Sequence, residues 1–387
     1  MLIGLFFTWL VHSRGRLSII VKPETGPVVL TGLDSHPLIS IIVPARNEAR
    51  NIRQCLEGLL TQTYPNYEII TVDDRSTDET LQVLAELANK NARMQVIHGM
   101  ELPRGWAGKP HALVQGVAVA QGAWLCFMDA DTFASPGLLW SAYHVANYHQ
   151  ADMFSILTRQ TLGSFWEKTI LPLVFLGLTF GFPAEQVNDP TKPDAIANGQ
   201  FILIKRTVYD QVGGHGAVKD RIDDDRALAD IVKHAGFHLV LADGRDVAYT
   251  RMYTSLPEMW EGWTKNIYLG LQGKYWLLTF GAILGLSVAV VLPVWLVGGF
   301  SWLFSGGGTQ AVVVAVEAAV LWGYLLYKRW LACRDFEISG GYAFTFPLGA
   351  LMFTLMMIAS TFYVLSGRGV SWKGRRYRRN PKPPSTG

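Results

Sequence analysis

This chain of 387 residues has few cysteines and a small net charge. Its three cysteines, Cys55, Cys126 and Cys333, are widely spaced and odd in number, which argues against a disulfide framework or a zinc site and favours a reducing compartment. A net charge of +3 is too slight to predict a nucleic acid partner. No small-residue cleavage site follows the apolar residues 1–11, which are too few to span a bilayer, so we expect a truncated anchor or an interfacial segment there.

Apolar residues are abundant, at 50% of the sequence, and their excess lies mostly after residue 275. Three stretches, 277–304, 311–327 and 343–365, are each near the ~20 residues that cross a bilayer. They predict C-terminal transmembrane helices and therefore a multi-pass membrane protein. Glu317 lies inside the second stretch, where a charge is costly, so we expect it to have a partner within the helix bundle.

A basic tail follows the last apolar stretch. Its cationic residues are Lys373, Arg375, Arg376, Arg378 and Arg379. Positive charge marks the cytoplasmic side of a membrane, and anionic lipid is the simplest partner for such a cluster. If the soluble region is also cytoplasmic, three spans would place the tail on the opposite side. Either one stretch is re-entrant or interfacial, or the first stretch holds two short passes around Pro293.

Strands and helices alternate through the first third of the chain. Compact apolar runs at 38–43, 67–72, 94–97 and 124–128 predict four strands, and helical apolar spacing follows the first three. This alternation predicts an α/β fold with a mainly parallel sheet covered on both faces. Ligands of such sheets bind outside the carboxyl ends of the strands, where polar or acidic loops follow the first, second and fourth runs.

Two carboxylates, Asp129 and Asp131, stand where the fourth predicted strand ends. Ionised aspartates are almost never fully buried unless they are paired or bind a metal. The pair therefore predicts a divalent cation held by oxygen ligands. The alternative is that both are solvated loop carboxylates, one of which caps the next helix.

Beyond the fourth strand the sequence predicts a helix at 136–149 and a strand at 152–157. Two further helices have two interpretations each. Residues 165–182 are strongly apolar and contain Pro172, which is typical of a helix at the membrane surface or of a buried core helix. Residues 256–273 form an amphipathic pattern whose polar residues either contact substrate or belong to an ordinary interfacial helix.

An acidic cluster, Asp223, Asp224 and Asp225, opens a predicted helix. Carboxylates in the first turn are favoured by the helix dipole, so capping accounts for one of them. Three consecutive aspartates, with Arg221 and Arg226 close by, exceed what a cap requires. The more specific hypothesis is that one of them is a catalytic carboxylate.

Four motifs stand out along the chain: Ile-Ile-Val-Pro-Ala-Arg-Asn-Glu at 41–48, Val-Asp-Asp-Arg-Ser-Thr-Asp at 72–78, Met-Asp-Ala-Asp at 128–131 and Asp-Asp-Arg-Ala-Leu at 224–228. Their order and spacing are those seen in glycosyltransferase family 2, which this chain resembles over about residues 38–275. The resemblance implies a GT-A fold, the nucleotide-diphospho-sugar transferase fold. The expected domains are an N-terminal apolar segment and linker at 1–37, the transferase domain at 38–275, the transmembrane region at 276–366 and the basic tail at 367–387.

The resemblance also implies an inverting transfer from a nucleotide-diphosphate sugar, of which UDP-glucose is the type expected. The residues implied to bind the nucleotide sugar are Pro44, Arg46, Glu48, Asp73, Asp74, Lys109 and Asp129. Asp131, supported by Asp129, is implied to bind Mg²⁺ or Mn²⁺ across the diphosphate. The loop at Asn198, Gly199 and Gln200 is implied to shape the sugar and acceptor site. Asp225 matches the catalytic base, and Asp224 occupies a position more often filled by glutamate, so both are candidates for the base.

The C-terminal part narrows the expected acceptor. Residues 262–266 and 369–374 resemble the branch of the family that glycosylates hydroxylated carotenoids or is associated with hopanoid synthesis. Processive polysaccharide synthases of the family carry Gln-x-x-Arg-Trp before the membrane region, whereas this chain has Gly-Trp-Thr-Lys-Asn at 262–266. We therefore expect a single transfer to a hydroxyl of a hydrophobic membrane lipid, with Trp263 and Lys265 near the acceptor and the catalytic domain in the cytoplasm. Alternatives are a polyprenyl phosphate or polysaccharide acceptor, and a sugar-nucleotide binding protein without turnover.

Overall fold

The computed structural model describes residues 19–23, 36–181, 184–270, 275–366, 370–372 and 375–377. The apolar segment predicted at 1–11 lies outside these residues, and so does most of the basic tail.

Twelve strands are present in the described residues. They are β1 (Ile39–Ala45), β2 (Tyr67–Asp73), β3 (Met94–His98), β4 (Trp124–Phe127), β5 (Thr132–Ala134), β6 (Met153–Leu157), β7 (Arg159–Gln160), β8 (Ile202–Lys205), β9 (Leu239–Asp243), β10 (Ala248–Thr250), β11 (Val370–Trp372) and β12 (Arg375–Tyr377). The helices up to residue 234 are α1 (Ile52–Leu60), α2 (Thr80–Lys90), α3 (Gly108–Val119), α4 (Leu138–Tyr148), α5 (Phe165–Gly181), α6 (Ala184–Asn188), α7 (Arg206–Gln211), α8 (Gly214–Ala217) and α9 (Asp224–His234). The later helices are α10 (Leu256–Gly270), α11 (Tyr275–Leu286), a π-helical turn (Ser287–Val291), α12 (Leu292–Phe304), α13 (Gly308–Asp335), a 3₁₀ helix (Gly340–Thr345) and α14 (Phe346–Leu365).

A seven-stranded sheet forms the centre of the fold, in the order β3-β2-β1-β4-β8-β6-β9. All neighbouring strands are parallel except at β8, which runs antiparallel to both β4 and β6. The predicted α/β fold with a mainly parallel sheet is confirmed. A smaller sheet, β5-β10-β7, and the β11-β12 hairpin lie outside it.

The central sheet is buried on both faces because its side chains alternate between two apolar layers. In β1, Ile41 and Val43 enter one core cluster, whereas Ile42 between them enters the other. In β8, Leu203 and Ile202 separate in the same way. Alternate residues of a strand face opposite sides of the sheet, and here the residues on both sides are apolar. In the sequence such a strand is therefore a continuous hydrophobic run.

The reversed direction of β8 decides which loops meet at one edge of the sheet. β1, β2 and β4 are parallel, so their carboxyl ends lie together. Because β8 is antiparallel to β4, its first residue, Ile202, pairs with Phe127, the last residue of β4. The loop that precedes β8, residues 198–200, is thereby delivered to the same edge.

The described residues fall into two compact units. One contains those between residues 13 and 161 and between 181 and 252, including the whole central sheet. The other contains those between 162 and 180 and from 253 onwards. The domain boundaries predicted at residues 38, 276 and 367 stay a prediction.

Three helical segments of the second unit are long and apolar enough to cross a membrane: Leu278–Phe304, Gly308–Asp335 and Gly340–Tyr363. The prediction of three such segments is confirmed. The first is one continuous helical run of 27 residues, with a π-helical turn before Pro293. Two short passes around Pro293 are therefore excluded, because the chain does not reverse there. The side of the membrane on which the tail lies stays a prediction.

The apolar helix α5 packs inside this second unit. Its residues Ile170, Leu171 and Val174 are buried, as expected of a core helix. Pro172 has no N–H to donate to the carbonyl of Lys168, one turn earlier. The buried guanidinium of Arg329, on α13, donates a hydrogen bond to that carbonyl. The break that proline introduces is thus compensated by a neighbouring helix.

Glu317 differs from the expectation. Its side chain is exposed on the surface of α13, and within the described residues it has neither an ion pair nor a hydrogen bond. The partner predicted inside the bundle is therefore not found among the described residues. Its neighbours along the helix, Val316 and Val320, are exposed as well. The helical periodicity turns this face outwards rather than towards α12 or α14.

We predict that Gly116→Ala destabilises the fold. A Cβ at this position of α3 would lie 2.5 Å from Ile42 Cγ2 and 3.2 Å from Val72 Cγ2, so the helix would have to move off the sheet. Overpacking of this kind costs about 1–3 kcal/mol. Thermal unfolding of the purified protein measures the loss. The matched control is Gly216→Ala, an exposed helical position with open space around its Cβ. Equal melting temperatures for the two variants would contradict the close packing of α3 on β1.

Candidate active site

The loops that follow β1 and β2 are tied together at the carboxyl edge of the sheet. The Arg46 guanidinium donates hydrogen bonds to the carbonyls of Asp74, at 2.6 Å, and Arg75, at 3.0 Å. Glu48 is buried, and its backbone N–H donates to the Thr80 hydroxyl at 2.8 Å. These contacts join the loop that carries Arg46 and Glu48 to the loop that carries Asp74 and to Thr80, the first residue of α2.

Asp73 and Asp74 are both buried, although they are acidic and lie at the end of a core strand. The Asp73 carboxylate accepts the backbone N–H of Ser76 at 3.3 Å. Asn47, with a positive φ of 52°, accepts the N–H of Thr77 at 2.8 Å. Beyond the ends of the two strands, side-chain oxygens thus accept backbone N–H groups that strand pairing no longer satisfies. Pro44 pairs with Val72 inside the sheet, one residue before β1 ends at Ala45.

Asp129 and Asp131 lie in the turn between β4 and β5. The backbone of Met128 still pairs with β1, donating to Ile42 at 3.1 Å, and the N–H of Thr132 donates to the Asp129 carbonyl at 3.1 Å. Both carboxylates are half-buried. A strand follows them rather than a helix, so the alternative in which one of them caps the next helix is wrong.

Lys109, in the first turn of α3, joins two acidic groups that are far apart in sequence. Its Nζ lies 2.6 Å from Asp129 Oδ1 and 3.8 Å from Asp224 Oδ2. Burial acts to lower the pKa of Lys109, but Asp129, Asp224 and Asp225 together raise it well above its ordinary value. The lysine therefore carries a permanent positive charge at the centre of the site.

Asp225 is held by backbone amides from two elements. Its Oδ2 accepts the N–H of Gly199 at 2.9 Å, and its Oδ1 accepts the N–H of Arg226 at 2.8 Å. Asp223, two positions earlier, takes the N-cap position of α9 but makes no side-chain cap. It instead forms a bidentate pair with Arg221, at 2.7 and 2.8 Å. The predicted cap by one aspartate is not made.

Asp224 and Asp225 both have raised pKa values. Burial, together with the charges of Asp225 and Asp129, raises the pKa of Asp224 to about 7 against the opposing effect of Lys109. Burial also raises the pKa of Asp225, while Lys109 and the two backbone amides act in the opposite sense. Strongly shifted carboxyls that share one charged partner are typical of catalytic sites.

The predicted loop 198–200 meets this pair through its backbone. The side-chain amide of Asn198 donates to the carbonyl of Ile156 at 3.0 Å, and the backbone N–H of Asn198 donates to the Ser155 hydroxyl at 2.8 Å. The buried Gln200 Oε1 accepts from Thr158 and from Asn198. The two side chains therefore hold the loop in shape, and the Gly199 N–H makes the contact with Asp225.

Two residues that the sequence did not single out adjoin the cluster. His215 is buried with its Nε2 atom 3.7 Å from Asp224 Oδ2, and its ring contacts the hydroxyl of Tyr209 at 3.1 Å. The signal that could have drawn attention to it is a histidine between glycines, since Gly213 and Gly214, both at positive φ, precede it.

Trp263 and Lys265 belong to the second unit. Trp263 is buried, with its ring 6.4 Å from that of Phe175 and 6.3 Å from that of Tyr253. Ser360, on α14, donates to the carbonyl of Thr264 next to it. These contacts fix α10 within its own unit. The predicted role of Trp263 and Lys265 at the acceptor stays a prediction.

The donor set at Asp129 and Asp131 fits a cation shared with a phosphorylated substrate. Across the described residues, no three His, Cys, Asp or Glu side chains form a metal cage of protein groups alone. Magnesium, however, is usually bound by one or two carboxylates together with substrate phosphates and water. Two half-buried carboxylates in one turn meet that requirement.

Comparison with known proteins matches most of the central sheet to a family of enzymes. The sequence model described as "Glycosyl transferase family 2" matches residues 40–213, which include β1 to β8 and the Asp129 turn. These residues are a glycosyltransferase family 2 domain. Curated relatives of this glycosyltransferase include the 4,4'-diaponeurosporenoate glycosyltransferase of Staphylococcus aureus strain USA300, 26% identical over 352 residues and covering 89% of each chain. The protein of the same name from strain MRSA252 is 25% identical over 360 residues, with the same coverage.

A solved structure gives the fold. The mannosyltransferase from Pyrobaculum calidifontis, described in complex with GDP-Man and Mn²⁺, aligns with a TM-score of 0.50 and 18% identity, covering 90% of this chain and 94% of that one. The predicted GT-A fold, the resemblance to family 2 and the assignment as a glycosyltransferase enzyme are thereby confirmed. The individual residue roles stay predictions.

The raised pKa of the buried Asp224 carboxyl predicts a pH dependence of this glycosyltransferase. Because the pKa of Asp224 is raised to about 7, lowering the pH through that region should protonate the Asp224–Asp225 pair. We expect kcat/KM for the acceptor to fall accordingly towards acid pH, when the profile is measured at constant ionic strength. An acidic limb near about pH 4, the ordinary range of a carboxyl, would contradict the buried pair.

Gly199→Ala should impair catalysis with little effect on folding. A Cβ at this position would lie 2.8 Å from Lys109 Nζ and 3.0 Å from Asp225 Oδ2, so both charged groups would have to move. Misplacement of reacting groups by about 1 Å can cost on the order of 10²-fold in rate. Initial-rate kinetics measure the loss, and Gly177→Ala, where the Cβ meets open space, is the matched control. Retention of full kcat in Gly199→Ala would exclude this loop from the site.

Proposed function

We propose that this glycosyltransferase transfers one sugar from a nucleotide-diphosphate sugar to a hydroxyl of a hydrophobic membrane lipid, with inversion at the anomeric carbon. The observation that carries the proposal is the Lys109 cluster. In it one ammonium contacts Asp129, in the turn proposed for the donor, and Asp224, beside the proposed base Asp225. Donor binding and proton removal, the two tasks of a glycosyl transfer, would thus be served by separate carboxylates arranged around one cation.

The donor side is proposed to be the edge formed by the loops after β1, β2 and β4. Arg46, Glu48 and the buried Asp73 and Asp74 would bind the nucleotide there, and Lys109 would lie near the diphosphate. Asp131 and Asp129 would hold Mg²⁺ or Mn²⁺, and the mannosyltransferase with the same fold was described with GDP-Man and Mn²⁺. A divalent cation in this turn would neutralise charge on the departing diphosphate.

The acceptor side is proposed to be the Asp225 carboxylate and the Asn198–Gln200 loop. Asp225 is the more accessible of the two adjacent aspartates, since Asp224 is buried. Two backbone N–H groups hold the Asp225 carboxylate in a single orientation. It would remove the proton from the acceptor hydroxyl as the oxygen attacks the anomeric carbon from the face opposite the leaving diphosphate. Displacement on the opposite face inverts that centre.

A lipid acceptor is supported by two independent observations. Three helices of the second unit are long and apolar enough to cross a membrane, and a bilayer is where such an acceptor resides. The S. aureus relatives, aligned over 89% of this chain, are named for transfer to diaponeurosporenoate. We propose a carotenoid- or hopanoid-like acceptor and a catalytic domain on the cytoplasmic side.

The product assay tests the reaction class directly. Membranes containing the protein are incubated with radiolabelled UDP-glucose or GDP-mannose, Mn²⁺ or Mg²⁺, and lipid extracts that contain carotenoid alcohols, carotenoid acids or hopanoids. One labelled glycolipid carrying a single sugar is expected, and the one-bond C–H coupling constant at its anomeric carbon reports the inversion for a glucoside and a mannoside alike. Products of increasing length would indicate a polysaccharide acceptor, and a label on polyprenyl phosphate would replace the proposed acceptor.

Asp225→Asn should abolish most of the transfer. Loss of a general base typically costs about 10²- to 10⁴-fold in rate, while the amide keeps the size of the side chain. Nucleotide-sugar binding, followed by calorimetry, should be retained because the donor loops are unchanged. Asp230→Asn, on the same helix, is the control. Full activity of the Asp225 variant would show that another group is the base.

A further inference from the structure

His215 presents one ring nitrogen to Asp224 from a buried position. The side chain is 1% exposed, and its Nε2 lies 3.7 Å from Asp224 Oδ2. The edge of the ring packs against Phe127, the last residue of β4, with ring centroids 4.7 Å apart and planes at 84°. The position of the ring is therefore set by the core, and its two nitrogens are directed at two different groups.

The other nitrogen, Nδ1, faces the Tyr209 hydroxyl. That oxygen lies 3.1 Å from Nδ1 and also accepts the backbone N–H of His215 at 3.0 Å. Tyr209 is buried, so its single hydroxyl hydrogen has to find an acceptor inside the protein. If it donates to Nδ1, the hydroxyl, the backbone N–H and the ring nitrogen are all satisfied. The reverse arrangement would leave the hydroxyl hydrogen without an acceptor among the contacts of the described residues.

Only one tautomer of a neutral ring agrees with this pattern. With Nδ1 as the acceptor, the proton of the imidazole is on Nε2, which is the nitrogen that faces Asp224. Burial lowers the pKa of His215 to about 3, and the Lys109 charge acts in the same sense, so the ring is neutral at physiological pH. The Nε2–H dipole therefore points at a carboxylate across 3.7 Å, a favourable contact that is longer than a hydrogen bond.

Asp224 needs such a neighbour because of what else it contacts. The same Oδ2 atom is 3.8 Å from Lys109 Nζ, and the next residue is the proposed base. A buried carboxylate with a neutral N–H on one side and an ammonium on the other is held in one orientation. With the opposite tautomer, a nitrogen lone pair would face the carboxylate, and the contact would be repulsive.

We propose that His215 is a positioning residue of this glycosyltransferase, fixed by Tyr209 as the Nε2–H tautomer so that it orients Asp224 and, through Asp224, the Lys109 ammonium. The proposal rests on the proposed function, since it assumes that the Asp224–Asp225 pair serves the transfer. His215 itself does not contact substrate.

Activity measurements can separate this role from simple core packing. In His215→Gln the longer side chain can place an amide N–H where Nε2 was, whereas His215→Asn ends near the position of Nδ1. We expect His215→Asn to lower kcat roughly 10- to 100-fold, the size found for groups that orient metal ligands by hydrogen bonding, with little change in donor KM. His215→Gln should keep most of the activity. Equal losses in both variants would overturn the proposal.

Tyr209→Phe provides the second arm. It removes the hydroxyl that selects the tautomer, so kcat should fall in the wild-type background. It should have little further effect on kcat in the His215→Gln background, where no tautomer exists. This non-additivity distinguishes positioning from packing, because independent packing defects would lower activity and melting temperature additively. Additive losses in kcat would contradict the role of Tyr209.

The tautomer can also be observed without kinetics. NMR of the detergent-solubilised protein labelled with ¹⁵N-histidine should show a pair of shifts for His215 with Nε2 protonated and Nδ1 unprotonated, assigned from the signals missing in either His215 variant. A protonated Nδ1 would overturn the proposal. If no glycolipid forms in the product assay, the proposed function fails while this spectrum still decides the tautomer. If Asp225→Asn is inactive and His215→Asn is fully active, the positioning role alone is wrong.

Discussion

The partly buried ammonium of Lys109 is the charge on which the arrangement of the site depends. Carboxylates from the β4 turn and from the start of α9 converge on it, within 2.6 Å for Asp129 and 3.8 Å for Asp224. Without a cation between them these groups would repel one another, and burial would favour their protonated forms. Lys109 keeps the turn and the helix start close together while leaving Asp225 to the backbone amides.

Adjacent aspartates on α9 experience different surroundings, and that difference gives them different chemistry. Asp224 is buried beside an ammonium and a neutral imidazole, whereas Asp225 is held by the amides of Gly199 and Arg226. Pairs of carboxyls whose environments differ are how many enzymes obtain two roles from one residue type. Here the difference follows from helix geometry, because successive residues in the first turn point about 100° apart around the axis.

The sequence predicted the fold well because its signals are local. A buried parallel strand is a short apolar run, a helix repeats every 3.6 residues, and both patterns survive without knowledge of any neighbour. Thus β1 to β4 and the helices after them were found within a few residues. The motif around Asp129 and Asp131 was equally visible, since a strand that ends in two carboxylates is conspicuous. The outward orientation of Glu317 was not visible in the sequence, because the apolar pattern of one helix does not say which of its faces packs against other helices.

The amino-acid sequence by itself determined the α/β class, the apolar helices, and the acidic and basic residue types from which a site is assembled. Only the tertiary structure decided which of these meet. The antiparallel insertion of β8 brings Gly199 to the end of β4, and the turn after α7 brings His215 to Asp224. The first contact joins residues more than seventy positions apart and the second joins residues nine positions apart. Both depend on strand order and packing, which no local pattern of side chains encodes.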